Sequence, residues 1–226
     1  MIEFAHVSKH FTSRQGEKRV LEDVSFHLAR EENVAVVGAN GAGKSTLIGL
    51  MSGVTRPNSG TILRNGRFSW PMAFAGGFHP MLTGRQNAKF VARIYREDPL
   101  QLVEEVEEFS ELGRSFDLPI NTYSQGMKAR LAFGVSISIK FDCYLVDEII
   151  GVGDTRFRNK CRAAFQDRLK ESSVIMASHS ESGLREFCQS AIHVIDGSVT
   201  YFPNLDDCLA LHNERMSSPA AAPADL

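Results

Sequence analysis

Gly38-Ala39-Asn40-Gly41-Ala42-Gly43-Lys44-Ser45-Thr46 fits the pattern G-x-x-x-x-G-K-[ST], and its two flanks set the structural context. Upstream, Asn33-Val34-Ala35-Val36-Val37 is short and rich in β-branched residues, as a buried strand requires. Downstream, Thr46-Leu47-Ile48-Gly49-Leu50-Met51 begins a helix. In a strand, glycine loop and helix so ordered, backbone N–H groups turn inward around phosphates and the helix N-terminus adds its positive dipole end. A glycine-rich turn that binds nothing is the plain alternative, but four constrained positions rarely coincide by chance in 226 residues. The stretch therefore reads as a nucleoside triphosphate site, with Lys44 on the β- and γ-phosphates and the Ser45 hydroxyl on Mg²⁺.

Outward from the loop, the chain alternates between two periodicities. Residues 2–7 and 20–26 alternate in the manner of strands around a polar turn near Gly16, so an antiparallel β layer is expected beside the nucleotide core. Arg56-Pro57-Asn58-Ser59-Gly60 is a dense turn signal before Thr61-Ile62-Leu63, and Asn65-Gly66 suggests a second turn and a further hairpin. Residues about 85–138 read as an inserted helical subdomain, with Asp98 as a cap ahead of Pro99 and an acidic amphipathic run from Leu102 to Phe109. From Cys143 the order becomes strand, helix, strand, helix, through Thr155–Lys170, Ser173–Ala177 and Glu181–Cys188, which implies parallel strands joined by crossover helices. A last hairpin turns at Asp196-Gly197-Ser198. The expected fold is α/β: a P-loop core with a parallel sheet, an antiparallel β layer and the helical insertion. One ATPase domain over residues 1–212 and a disordered tail over 213–226 complete the expectation.

Composition narrows the partners. A net charge of -2 and a pI near 6.4 argue against a nucleic-acid surface, which would show a basic excess. Cys143, Cys161, Cys188 and Cys208 are widely spaced with no C-x-x-C pair, so they read as reduced thiols, without a zinc or redox motif. No apolar stretch approaches the ~18 residues of a spanning helix, and the first residues lack a signal-peptide pattern. Any membrane role then passes through a partner.

Three further clusters carry chemistry. The run Cys143–Val146 ends in Asp147-Glu148, which puts two carboxylates at the carboxyl end of a buried strand, where open α/β sheets bind ligands. Asp147 can help hold Mg²⁺ and Glu148 can polarise the attacking water, although two acids can equally cap a strand at the surface. Ala177-Ser178-His179 places a histidine at a second strand end, where a lone histidine is more often structural. Ser124-Gln125-Gly126-Met127 precedes an amphipathic helix, so Ser124 is a ready N-cap. The same helix start also offers backbone donors and a dipole to a second phosphate.

The ordered set of Gly38 to Thr46, Ser124-Gln125-Gly126-Met127, Asp147-Glu148, Gly153-Asp154 and His179 resembles the nucleotide-binding subunit of an ATP-binding-cassette transporter, from residue 1 to about 210. Trp70-Pro71, Ala75 to Arg85, Tyr123 to Met127 and Val152 to Phe157 are similar to the capsular polysaccharide export ATPases of Gram-negative bacteria. The resemblance implies that Phe11 stacks on adenine, that Lys44 and Ser45 serve phosphate and Mg²⁺, that Glu148 is the catalytic base and that His179 touches the γ-phosphate. It implies a homodimer with two ATP molecules, in which Ser124 and Gly126 reach the γ-phosphate on the opposite subunit and Asp154 lies at the interface. It also implies an integral membrane permease as partner, a place on the cytoplasmic face of the bacterial inner membrane, and a lipid-linked polymer that this chain does not itself hold tightly. O-antigen or teichoic-acid export, or a cassette protein without transport, are the rival readings. Two departures stand out: Gln125 replaces the first glycine of the usual signature, and the family's glutamine ahead of the helical insertion has no counterpart, Gln86 lying too far along.

Overall fold

The computed structural model describes residues 1–13, 16–72, 77–147 and 154–217. Glu148 and Gly153 thus fall outside the described residues, as does the 73–76 stretch ahead of the insertion. The chain divides into two compact units: residues 1–68, 145–148 and 173–226 form the first, and residues 69–144 and 149–172 the second.

In the first unit, β1 (Ile2–Ser13) pairs antiparallel with both β2 (Gly16–Leu28) and β4 (Ser59–Arg64) to give a three-stranded layer in the order β2-β1-β4. Its inner face buries Ile2, Phe4, Val7, Leu21, Val24 and Leu28, but the strict alternation expected from the sequence is broken by register shifts between Phe4 and Val7 and between Val7 and Lys9, with His6 and Asp23 at positive φ. The second sheet runs in the order β5 (Phe68–Pro71), β6 (Cys143–Asp147), β7 (Ser173–Ala177), β3 (Val34–Val37), β8 (Ser190–Ile195), β9 (Ser198–Phe202). Here β3 lies parallel between β7 and β8, with Val36 opposite Ala177 and Val37 opposite His193. These strands are buried on both faces, hence their continuous apolar runs. β9 (Ser198–Phe202) returns antiparallel to β8 through Asp196-Gly197, where Asp196 at φ 47° and Gly197 at φ 78° make the turn.

The second unit is mainly helical: α2 (Gly84–Tyr95), α3 (Pro99–Ser110), α4 (Gln125–Ser138) and α5 (Thr155–Arg168). Asp98 caps α3 by accepting from the N–H groups of Leu100 and Gln101, with Pro99 at the first position. Aromatic edges join the unit: Trp70 meets Tyr95 and Phe141 at centroid distances of 5.2 and 5.6 Å.

Two expectations need correction. The turn at Asn65-Gly66 does not close a hairpin, because β4 belongs to the antiparallel layer while β5 (Phe68–Pro71) belongs to the other sheet. The physical reason is Trp70, whose aromatic partners Tyr95 and Phe141 lie in the helical unit and draw β5 away. Beyond β9, the helix α7 (Leu205–Ser217) continues five residues into the stretch read as tail. Asn204 accepts from the Asp206 N–H, acids fill the first turn, and Leu205, Cys208 and Leu209 are buried.

Candidate nucleotide site

β3 delivers the chain to the carboxyl edge of the sheet, and close packing explains Gly38 and Gly43 in the loop that follows. A Cβ on Gly38 would stand 2.5 Å from the carbonyl oxygen of Val194 on β8. Gly43 sits at φ 112°, and a Cβ there would stand 2.6 Å from Cγ1 of Val20 on β2. Gly43 is also the N-cap of α1 (Lys44–Ser52), so no side chain satisfies the first N–H groups of that helix. A donor-rich helix start with no cap of its own is a fit for phosphate oxygens. The Lys44 ammonium donates to the carbonyls of Gly38 (2.7 Å) and Ala39 (3.0 Å), holding its charge inside the loop.

A cavity of about 480 Å³ opens on this loop. Asn40, Gly41, Gly43, Lys44, Ser45 and Thr46 line one side, and the strand ends contribute Asp147, the last residue of β6 (Cys143–Asp147), and Ser178 with His179 after β7. Phe11, Lys18 and Val20 close it from the antiparallel layer. The volume lies within the range of small-molecule sites. Phe11 is 47% exposed, and the Lys9 ammonium stands over its ring, 4.8 Å from the centroid. The structure thus brings together Phe11, the loop, Asp147 and His179, all in the first unit.

Lys18 was not among the residues singled out from the sequence. It reaches the cavity because β1 and β2 pair it directly opposite Phe11, and it adds a second cation there. Ser45 and Asp147 offer hard oxygen ligands that fit Mg²⁺. Among the described residues no group of three His, Cys, Asp or Glu side chains clusters as a metal site.

Ser124, Gln125 and Gly126 lie in the second unit and are exposed. Ser124 is the N-cap of α4, its hydroxyl accepting from the Met127 N–H at 3.2 Å. A Cβ on Gly126 would meet only the Ser124 hydroxyl at 3.9 Å, so the surface above this helix start is open. Asp154 caps α5 by accepting from the Phe157 N–H. Gln86 is committed elsewhere: with Thr83 it forms a capping box, each side chain bonded to the other's backbone N–H, which removes it as a stand-in for the missing glutamine. Sequence reading also passed over Asn87. It is buried, accepts from His79 N–H and donates to the carbonyls of His79, Leu82 and Thr83, so it fixes the 79–83 turn.

All four cysteines are buried free thiols, and burial pushes Cys161 and Cys188 up to about 12 and Cys208 up to about 11. Cys161, Cys188 and Cys208 therefore stay protonated at neutral pH and are poor nucleophiles.

Comparison with known proteins agrees with this geometry. Residues 21–151 match the family model described as ABC transporter. The chain is 45% identical over 213 residues to the capsule polysaccharide export ATP-binding protein CtrD of Neisseria meningitidis serogroup B, covering 94% of this chain and 99% of that protein. It is 49% identical over 194 residues to the polysialic acid transport ATP-binding protein KpsT of Escherichia coli, covering 85% and 87%. Among solved structures, the dimeric post-hydrolysis state of the ATP-binding cassette MJ0796 bound to ADP and Pi superposes with a TM-score of 0.75 at 18% identity, covering 91% of this chain and 99% of that one, which speaks to the fold alone. Matched by the family model over more than half its length, and by relatives of nearly its own size, the chain belongs to the ABC transporter family.

Proposed function

We propose that this chain is the ATP-hydrolysing subunit that powers export of a lipid-linked capsular polysaccharide through an integral membrane permease. The observation that carries the reading is the single cavity where Lys44, Ser45, Asp147 and His179 converge beside Phe11. The likeness to capsule export subunits supports the substrate class over O-antigen or teichoic-acid polymers. Among the described residues no helix is long and apolar enough to cross a membrane, so attachment to the cytoplasmic face of the inner membrane is assigned to the permease.

ATP binding exchanges partners at Lys44: its ammonium leaves the Gly38 and Ala39 carbonyls for phosphate oxygens, while the uncapped N–H groups of α1 supply the remaining donors. Phe11 stacks against the base, and Lys18 adds charge near the phosphates. Ser45 and Asp147 would hold Mg²⁺, which would neutralise part of the phosphate charge when bound. Glu148 draws the proton from the attacking water, and His179 donates towards the γ-phosphate. Ser124 and Gly126 close the site of a second copy of the chain, so hydrolysis needs the homodimer.

Two variants test this. Lys44→Ala should lose ATP binding and hydrolysis together, whereas Glu148→Gln should keep ATP binding, turn over about 10² to 10⁴ times more slowly and accumulate as an ATP-bound dimer on gel filtration. Near-normal turnover by Lys44→Ala would overturn the site; a Glu148→Gln protein that stays monomeric with ATP and Mg²⁺ would overturn the sandwich.

A further inference from the structure

Away from the nucleotide cavity, a linked set of five charges joins three helices of the second unit. Arg130, on α4 and six residues after the Ser124 cap, donates to Asp154 Oδ2 at 2.9 Å. The other oxygen of Asp154 accepts from the Phe157 N–H at 2.9 Å, so both carboxylate oxygens are engaged. The guanidinium of Arg130 lies 4.3 Å from the Phe157 ring centroid, and its other edge faces Glu111 at 3.8 Å. Glu111 ends α3 in the left-handed region, φ 53°, and is held at 2.9 Å by Lys160 of α5, with Arg156 at 3.8 Å. Lys160 also donates to the last carbonyls of α3, those of Glu108 and Phe109.

Stability alone does not account for this arrangement. Asp154 is 64% exposed and Glu111 32%, and ion pairs at such exposed sites contribute little to stability. α5 keeps its cap through the Phe157 N–H without any help from Arg130. What Arg130 adds is geometry: a rigid planar group with its face fixed on Phe157 and its edges fixed on two carboxylates. Those contacts tie the start of α5, capped by Asp154, to α4, whose start is capped by Ser124. Each cap begins a segment that the proposed sandwich turns towards the second subunit.

We infer that Arg130, braced by Glu111, is a positioning residue that locks the Asp154 cap to the helix carrying Ser124, so that both reach the opposite subunit as one rigid surface. The inference rests on the proposed homodimer. The cavity around Lys44 contains neither Arg130 nor Glu111, so both lie outside this subunit's own nucleotide site. Its loss therefore acts on assembly and turnover while sparing the affinity of a lone subunit.

The test uses the purified full-length chain, with ATP affinity measured by a fluorescent ATP analogue, ATP-driven dimerisation by light scattering in the Glu148→Gln background, and steady-state kcat and KM. Arg130→Met should bind nucleotide within about twofold of the parent while dimerisation and kcat fall at least about tenfold; Glu111→Gln should shift both in the same direction by a smaller factor. Asp154→Asn combined with Arg130→Met should be little worse than Arg130→Met alone, because the two act through one contact. Arg130→Lys, which keeps the charge and loses the fork, should recover thermal stability without recovering kcat. Wild-type dimerisation and kcat in Arg130→Met, fully multiplicative losses in the double variant, or a kcat that rises with stability in Arg130→Lys would each overturn the positioning role. If the Glu148→Gln parent itself fails to dimerise, the sandwich fails; if that parent dimerises and Arg130→Met matches it, only this inference fails.

Discussion

Gly43→Ala is the sharpest probe of why the loop has its composition. At φ 112° the residue lies outside the conformations an alanine adopts, and strain of this kind costs about 1 to 3 kcal/mol. The added Cβ would also come 2.6 Å from Val20 Cγ1, and relieving that overlap adds about 1 to 3 kcal/mol of overpacking. The combined penalty is about 2 to 6 kcal/mol. At ~2–4 °C per kcal/mol for a domain of this size, the melting temperature should fall by roughly 4 to 24 °C. Relaxation would turn the Gly43–Lys44 peptide, so ATP affinity should fall together with stability. Calorimetry and nucleotide titration read both quantities. Val20→Ala in the same chain separates the causes: it removes the atom that Cβ would strike but leaves the φ strain, so only part of the stability should return and ATP affinity should stay low. A Gly43→Ala protein with unchanged melting and unchanged ATP affinity would refute the account of the loop, and full rescue by Val20→Ala would refute the backbone part of it.

Three other predictions follow from separate parts of the molecule. Ser124→Arg should abolish turnover while leaving lone-subunit ATP affinity nearly unchanged, because Ser124 lies outside the Lys44 cavity; a large loss of monomer affinity in titration would place Ser124 in its own subunit's site. Phe78, half-buried in the segment from Trp70 to Arg85, is proposed to touch the permease. Phe78→Ala should keep the ATPase of the purified chain while reducing permease co-purification and surface polysaccharide, and normal export from such cells would refute the docking role. His193 and His212 face each other at 3.3 Å between β8 and α7. Burial lowers both pKa values, aided at His212 by Lys44 and opposed by Glu181, and aided at His193 by His212 and Arg215. A lowered folded pKa gives stability that is present above the ordinary histidine value of ~6.5 and is lost as pH falls below it. Urea midpoints should therefore drop between pH 7.5 and 5.5, with a smaller drop in His212→Gln; equal drops in the two proteins would refute the assignment.

The phosphate loop was legible because its chemistry is contiguous: backbone donors, a terminal lysine and a hydroxyl follow one another over nine residues, and the flanking periodicities name the strand and the helix. Asp147 and His179 were legible for a related reason, since each ends an apolar run and strand ends share one edge of a parallel sheet. What the sequence hid depends on pairing between distant segments. Lys18 enters the cavity through its register with Phe11, and β5 leaves the antiparallel layer because Trp70 meets aromatic rings beyond it in the chain, at Tyr95 and Phe141. The α7 signal was short and local, an Asn204 cap with apolar residues at 205, 208 and 209, but it lay next to a Pro- and Ala-rich tail that dominated the composition. Arg130 shows the same limit most clearly. Its place after Ser124 gave no reason to separate it from any other basic residue on a helix, because its carboxylate partners lie 19 residues back at Glu111 and 24 residues on at Asp154. Nucleotide chemistry is written in contiguous residues because a phosphate is met mainly by backbone and adjacent side chains. The surfaces that make one subunit act on another are assembled from distant helix ends, so the residues that hold them in place emerge only once those ends are folded together.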